Sequence, residues 1–194
     1  MNIINNVSKK IINKIYNSIS SNKLNKEVYE FGLYLFINKI IFFLIVLLIA
    51  SILSKLYIGI IYLFFFSKLR KYVGGLHFKN GNICFIFSIL ISSIIIYLSK
   101  FNVSYKLSSL LLIIELIIII VSPIVPQNKE INSTEYKSYK IYTLKYLLIL
   151  NFFLLMSILF SYKCVYNILF YIVIFIFLLI IAEFILRIHN RRKS

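Results

Sequence analysis

The chain has 194 residues, of which 61% are hydrophobic, and its mean hydropathy is +0.92. This is more apolar than a soluble domain and predicts a membrane protein with no room for a sizeable soluble domain. The 22 Lys and Arg residues against 6 acidic ones give a net charge of +16. Because these cations flank apolar segments, they indicate membrane topology and argue against nucleic-acid binding.

The chain begins with a basic amphipathic stretch. In residues 2–20, Ile and Val recur at helical spacing on one face, while Lys and Asn fill the other. This pattern predicts an amphipathic helix on an anionic membrane surface, within a cytoplasmic or interfacial segment of residues 1–27. A frayed basic tail is the alternative interpretation.

Six apolar segments follow, and each is a candidate membrane segment. A spanning helix needs about 20 apolar residues, so the short second segment either extends into its flanks, tilts or is re-entrant. The expected fold is all-α, a multi-pass transmembrane helical bundle in a single membrane domain of residues 1–194. The segments cover residues 31–54, 56–68, 83–99, 108–125, 144–162 and 165–186.

The positions of the basic residues predict the orientation of the bundle. With the N-terminus inside and six crossings, eighteen Lys and Arg residues lie inside and four lie outside. Basic residues concentrate on the cytoplasmic side of membrane proteins. We therefore expect both termini, a catalytic loop at residues 69–82 and a second loop at residues 126–143 to be cytoplasmic.

A polar, glycine-rich island at residues 70–84 interrupts the apolar segments. It contains His77, one of two histidines in the chain, and ends at Cys84, one of two cysteines. An imidazole can take the thiol proton and leave an attacking sulfur anion, so the pair predicts thiolate catalysis. A buried inert cysteine beside an interfacial histidine is the alternative interpretation.

The spacing of the pair predicts a break in the chain. Seven residues correspond to about 10 Å along one straight helix, whereas proton transfer needs about 3 Å. Asn80-Gly81-Asn82 supplies turn residues between His77 and Cys84. We expect the next helix to start near Asn82 with Cys84 in its first turn, where the helix N-terminus, Lys79 and Arg70 favour the thiolate.

Other polar residues have two interpretations each. Gly74 and Gly75 permit positive φ and exposed N–H groups, which fits an oxyanion site or a simple turn. Arg70 and Lys71 are candidates for binding a substrate carboxylate, or for anchoring the chain at the membrane surface. Glu115 lies within an apolar segment, so it should face the bundle interior and contact either the peptide or a neighbouring span.

Two positions near the C-terminus have simpler interpretations. Glu183 precedes Arg187 by four residues, which predicts an ion pair on one helix face. Cys164 is expected at the membrane face opposite Cys84, where we expect it to be inert.

The pattern Arg70-x-x-x-Gly74-Gly75-x-His77-x6-Cys84 resembles the signature of the accessory gene regulator B (AgrB) family, bacterial membrane endopeptidases that process propeptides of cyclic quorum-sensing signals. The stretch from Ser122 to Lys129 is similar to the family's proline-containing cytoplasmic loop. The resemblance implies that His77 and Cys84 are the catalytic pair and that Cys84 holds the N-terminal product as a thioester. A side chain of the peptide then closes a thiolactone or lactone.

The expected function follows from this resemblance. It is a cysteine endopeptidase of the bacterial cytoplasmic membrane that cleaves the C-terminal part of a signal propeptide and promotes its cyclisation to an autoinducing peptide. The resemblance implies a short amphipathic AgrD-like propeptide and the lipid bilayer as partners, and it suggests a homodimer. The sequence has neither a P-loop nor a metal-ligand cluster, so no cofactor or metal is expected. The alternatives are a non-catalytic membrane peptide exporter or scaffold, and a different thiolate-dependent membrane acyltransferase.

Overall fold

The protein is all-helical, as the sequence predicts. The structure is a computed structural model that describes residues 10, 11, 13, 26–53, 55–76, 81–125 and 131–191. Within these residues no β-strand occurs, and an isolated parallel bridge pairs Gly74 with Ile124. From residue 26 onward the described chain forms the helices α1 (Lys26–Ile52), α2 (Leu56–Val73), α3 (Gly81–Leu98), α4 (Ser108–Val121), α5 (Ser133–Leu159) and α6 (Lys163–Arg191), with a 3-10 turn at Tyr105–Leu107. The predicted amphipathic helix at residues 2–20 lies outside the described residues, apart from residues 10, 11 and 13.

Four helices, α1, α3, α5 and α6, are long and apolar enough to cross a bilayer. α4 has 14 residues, or about 21 Å at about 1.5 Å per residue, which is less than the roughly 30 Å of a hydrocarbon core. α2 carries Lys68, Arg70 and Lys71 in its C-terminal part. The chain is a membrane protein, and four of the six predicted segments meet the requirements for a full span.

Two helices extend beyond the apolar segments that predict them. α2 continues through the basic residues to Val73, so the predicted loop at 69–82 is helical over its first five residues. α5 begins at Ser133, so residues 133–143 of the predicted loop at 126–143 are also helical. The two extensions pack against each other. Tyr72 of α2 stacks on Tyr142 and Tyr146 of α5, with ring centroids 4.8 and 5.6 Å apart. Packing between the helices stabilises polar turns that hydropathy assigns to loops.

The helices α2 and α6 form the centre of the bundle, and each packs against four other helices. α1 and α2 make a tight hairpin around Lys55, whose N–H donates to the carbonyl oxygen of Ala50 at 2.8 Å. A Cβ added at Gly59 would lie 2.5 Å from the Cβ of Ala50, so the glycine lets the two helices approach closely. The first two apolar segments of the sequence are thus joined by a tight turn.

Successive helices run in opposite directions, so their connections gather at two ends. The Lys55 end contains the connections after α1, α3 and α5, where Asn167 accepts from the Val103 N–H and donates to the carbonyl oxygen of Ser99. The Gly74 end contains the connections after α2 and α4. The 18 residues of α2 separate the two ends by about 27 Å at about 1.5 Å per residue.

Candidate active site

The glycine pair ends α2 and turns the chain. Gly74 donates its N–H to the carbonyl oxygen of Arg70 at 3.1 Å, and its φ and ψ are 83° and −144°. Gly75 also has positive φ, at 118°. These conformations favour glycine strongly because a Cβ would be strained in them. Since the Gly74 N–H already bonds to Arg70, this glycine shapes the loop in this conformation and is not a donor for an oxyanion.

The chain after α4 packs directly on this glycine pair. Ile124 donates its N–H to the carbonyl oxygen of Val73 at 2.8 Å. A Cβ at Gly74 would lie 2.2 Å from the carbonyl oxygen of Ile124, so a larger residue does not fit there. Glycine at position 74 is therefore required both by its dihedral angles and by the close approach of residues 122–125, a segment that we call the α4 extension.

Cys84 lies in the first turn of α3. The helix begins at Gly81, so Asn82, near which the sequence predicts its start, is its second residue, and Cys84 is its fourth. α2 ends at Val73, and residues 74–76 are not helical. The break expected between His77 and Cys84 involves residues outside the described ones, and it stays a prediction. The thiol is half-buried. It lies near the N-terminal end of α3.

A cavity of 740 Å³ at the Gly74 end brings together several residues that the sequence singles out. Arg70, Lys71, Gly74 and Cys84 line it, although 14 residues separate the first from the last. Much of the remaining lining is aromatic, and none of the described residues that line the cavity is acidic. The other residues around the cavity are Tyr34, Leu35, Asn38, Lys39, Phe42, Phe66, Ser67, Tyr72, Gly81, Phe85, Ser88, Pro123, Ile124, Val125, Ile131 and Tyr139.

Arg70 presents an unpaired donor at this cavity. Its Nη2 donates to the carbonyl oxygen of Leu76 at 3.1 Å, and its guanidinium carbon lies 5.9 Å from the centre of the Phe66 ring. Its Nη1 is buried and has no hydrogen-bond partner among the described residues. A buried guanidinium donor without an acceptor is costly, and a carbonyl or carboxylate oxygen of a bound peptide would satisfy it.

Two predicted site residues, His77 and Lys79, lie outside the described residues. The described chain stops at Leu76, whose carbonyl oxygen is bound to Arg70, and resumes at Gly81, which lines the cavity. His77 therefore directly follows Leu76, whose carbonyl oxygen accepts a hydrogen bond from Arg70, a residue that lines the cavity. Its pairing with Cys84 stays a prediction.

Glu115 lies away from this cavity, in the interface between α4 and α5. It is 3% exposed, and its Oε2 accepts a hydrogen bond of 2.5 Å from Nδ2 of Asn151. Of the two interpretations, the contact to a neighbouring helix is the one that the structure shows. The interior orientation expected for a lone carboxylate in an apolar segment is confirmed.

The sequence interpretation missed the contribution of α1 to the cavity. Tyr34, Asn38 and Phe42 line it, and their spacing of four residues places them on one face of the helix. The ring of Phe42 also packs edge-on against Phe85 of α3, with centroids 6.4 Å apart. The signal available in the sequence was the polar pair Asn38-Lys39 within a largely apolar segment.

The second cysteine lies at the opposite end of the bundle. Cys164 is the second residue of α6, and Lys55 donates from Nζ to its Sγ at 3.3 Å. The length of α2 separates this end from Cys84. The two thiols therefore lie too far apart to pair with each other.

Comparison with known sequences decides the family. Residues 8–186 match the sequence profile of accessory gene regulator B. The chain belongs to the accessory gene regulator B family. It is 30% identical over 171 residues to AgrB-like protein 2 of Clostridium perfringens strain 13, a match covering 83% of this chain and 80% of that protein. An AgrB-like protein of C. perfringens strain SM101 has the same identity and coverage. No solved structure matches the chain.

Membership of the AgrB family implies involvement in the processing of a quorum-sensing propeptide, with an AgrD-like propeptide as partner. The matched range includes the glycine turn, Cys84, the α4 extension and nearly all of α6. Among the described residues, no group of three His, Cys, Asp or Glu side chains is arranged to hold a metal ion.

Proposed function

We propose that this AgrB-family protein is a membrane cysteine endopeptidase that cleaves an AgrD-like propeptide and promotes cyclisation of the product. The observation that carries the proposal is the cavity at the Gly74 end. Cys84, whose thiol is half-buried, and Arg70, whose Nη1 has no hydrogen-bond partner among the described residues, both line this cavity. A thiol nucleophile and a cationic hydrogen-bond donor in one cavity are expected of a site that binds and attacks a peptide carbonyl.

The chemistry needs one base and no external reagent. His77 takes the Cys84 proton, and the sulfur attacks the carbonyl carbon of the scissile peptide bond, forming a C–S bond. His77 returns the proton to the amine nitrogen as the C–N bond breaks, so the C-terminal fragment leaves with a free amino group. The N-terminal part of the propeptide stays on Cys84 as a thioester.

Cyclisation then releases the enzyme. A thiol or hydroxyl of the bound peptide gives its proton to His77 and attacks the thioester carbonyl. The new C–S or C–O bond closes the ring, and the bond to Cys84 breaks, which restores the thiol with the proton from His77. The apolar walls of the cavity exclude water, so attack by the peptide's own side chain competes well with hydrolysis.

Substrate binding uses the cationic lining of the same cavity. Nη1 of Arg70 is the donor for a carbonyl or carboxylate oxygen of the peptide, and Lys71 adds positive charge beside it. Gly74 and Gly75 shape the loop that leads to His77. In the proposed orientation the Gly74 end is cytoplasmic, because the basic residues of α2 and α5 concentrate there, and both termini are cytoplasmic as well.

The test is cleavage of an AgrD-like propeptide from the same genome, co-expressed with the membrane protein. Cys84→Ala should abolish cleavage, and His77→Ala should lower the rate by about 10²–10⁴-fold because the general base is lost. Cys164→Ala is the matched control and should cleave normally. Hydroxylamine added during turnover should convert the thioester of the N-terminal product into a hydroxamate, which mass spectrometry detects.

Cleavage at the wild-type rate by the Cys84→Ala protein would contradict the proposal. In that case, transport of the uncleaved propeptide across proteoliposomes would instead support the exporter alternative.

A further inference from the structure

The outer side of the α4 extension is held by an arginine near the end of the chain. Arg187 of α6 donates from Nη2 to the carbonyl oxygen of Val125. The same guanidinium donates from Nε to Oε1 of Glu183 at 2.9 Å. The Arg187 side chain is 27% exposed and that of Glu183 is 12% exposed, so the pair is largely shielded from solvent. The i,i+4 pair that the sequence predicts is confirmed, and it has a third member far away in the chain.

One face of α6 contacts both the glycine turn and the α4 extension. Leu179, Glu183 and Arg187 follow one another at intervals of four residues and so lie on one side of the helix. Leu179 packs behind the glycine turn, with its Cβ 3.6 Å from where a Cβ of Gly75 would be. Two turns further along, Arg187 holds Val125.

The α4 extension is therefore bound from two directions. On its inner side, the Ile124 N–H bonds to the carbonyl oxygen of Val73. On its outer side, the Val125 carbonyl accepts from Arg187. Pro123, Ile124 and Val125 all line the cavity that contains Cys84, so these two bonds determine how close that wall comes to the rest of the site.

We infer that Glu183 and Arg187 form a latch that positions the α4 extension as the cavity wall and thereby sets the size of the peptide site beside Cys84. The inference rests on the proposed function only in naming a peptide as the occupant. Glu183 orients the planar guanidinium, and a second nitrogen of the same guanidinium reaches Val125. These residues act through the wall and do not contact the reacting atoms, so they are positioning residues.

The first experiment measures the size of the cavity without catalysis. In a Cys164→Ala background, Cys84 is alkylated with iodoacetamide and, separately, with a bulky fluorescein maleimide. Losing a charge-assisted hydrogen bond shifts a local equilibrium by about tenfold or more. In Arg187→Gln, the ratio of bulky to small labelling rates should therefore rise by about tenfold. Lys163→Gln, which removes a cation from the other end of α6, should leave the ratio unchanged.

A charge exchange separates the latch from a simple ion pair. The double variant Glu183→Arg with Arg187→Glu keeps opposite charges four residues apart, but a carboxylate at position 187 cannot donate to Val125. If the hydrogen bond from Arg187 to Val125 positions the wall, this variant shows the same raised ratio of bulky to small labelling rates as Arg187→Gln. If only the ion pair matters, it labels like the wild type, and the inference is overturned. The exchanged variant retains an ion pair between positions 183 and 187. It therefore still tests the latch if Arg187→Gln does not accumulate in the membrane.

A kinetic measurement links the latch to the peptide. With the AgrD-like propeptide, Arg187→Gln should raise KM by about tenfold, with a smaller effect on kcat, since the wall contributes to binding and the nucleophile is untouched. Wild-type labelling ratios together with a wild-type KM would overturn the inference. That result would leave the proposed function standing, because the Cys84→Ala test decides the function separately.

Discussion

A methyl group added at position 74 tests the contact between the glycine turn and the α4 extension. In Gly74→Ala, the new Cβ would meet the carbonyl oxygen of Ile124 at 2.2 Å, whereas real Cβ atoms essentially never come closer than 3.0 Å to such atoms. The α4 extension would therefore have to move by at least 0.8 Å, which is 3.0 minus 2.2. The backbone would also have to leave its φ of 83° or be strained there.

The expected loss of folding stability in Gly74→Ala has two parts. An L-residue in this backbone region costs of order 1–3 kcal/mol. Displacing Ile124 weakens its N–H bond to Val73, which contributes roughly 0.5–1.5 kcal/mol. The sum is about 1.5–4.5 kcal/mol, which lowers the melting temperature by about 3–18 °C at about 2–4 °C per kcal/mol for a chain of this length.

Other glycines of the same chain supply matched controls. Gly75 has the same kind of strained φ, at 118°, but an added Cβ there would lie 3.6 Å from its nearest neighbour, which is ordinary contact. Gly75→Ala should therefore cost only the strain term. Gly32 lies inside α1 with nothing within 4 Å, so Gly32→Ala should be neutral or stabilise by about 0.5–1 kcal/mol.

The assay is thermal unfolding in detergent, followed by Cys84 alkylation of the folded fraction. The expected order of melting temperatures is Gly32→Ala highest, then Gly75→Ala, then Gly74→Ala. Gly74→Ala should also label faster with bulky reagents, because the displaced wall opens the cavity. A Gly74→Ala protein that melts with or above Gly75→Ala would refute the reasoning, since the clash with Ile124 would then have no cost.

Further predictions concern two buried hydrogen-bond contacts and the orientation of Cys84 in the membrane. Glu115→Gln should unfold within about 1 kcal/mol of the wild type because it still accepts from Asn151, whereas Glu115→Leu should lose about 1–3 kcal/mol; equal melting temperatures for the two variants would argue against this pair. Asn167→Ala breaks two hydrogen bonds at the Lys55 end and should cost about 1–3 kcal/mol, and an unchanged melting curve would show that these bonds contribute nothing. Membrane-impermeant maleimide should label Cys84 in inverted vesicles but not in intact cells, and labelling of Cys84 from outside in a Cys164→Ala background would reverse the proposed orientation.

Several features of the site were predictable because they depend on neighbouring residues. Cys84 lies in the first turn of α3, as the turn residues that precede it in the sequence lead one to expect. The positive φ of Gly74 and Gly75 follows from the glycine pair itself. The ion pair between Glu183 and Arg187 follows from helical spacing alone.

Hydropathy misplaced the ends of two helices because those ends depend on contacts with residues that are distant in the sequence. Residues 69–73 and 133–143 are too polar to be assigned to spans, yet both are helical. Their shared surface is a set of stacked tyrosines on α2 and α5 that are remote in sequence. A method that looks only at local polarity cannot find such a contact, because the stabilising partner is more than 60 residues away along the chain.

The sequence by itself determined that the chain is a helical membrane protein and placed its thiol at the start of a helix, because apolar run length and turn chemistry are local properties. Tertiary structure alone decided that the α4 extension and α1 line the cavity that contains this thiol, and that Arg187 binds the extension. The physical reason is that lipid is as apolar as the bundle core, so an apolar pattern does not distinguish the two environments. Both α1 and α6 are strongly apolar, yet 11% of the most apolar stretch of α1 is buried against 50% of that of α6. Which helix face meets lipid, and which meets the site, depends on packing among all six helices.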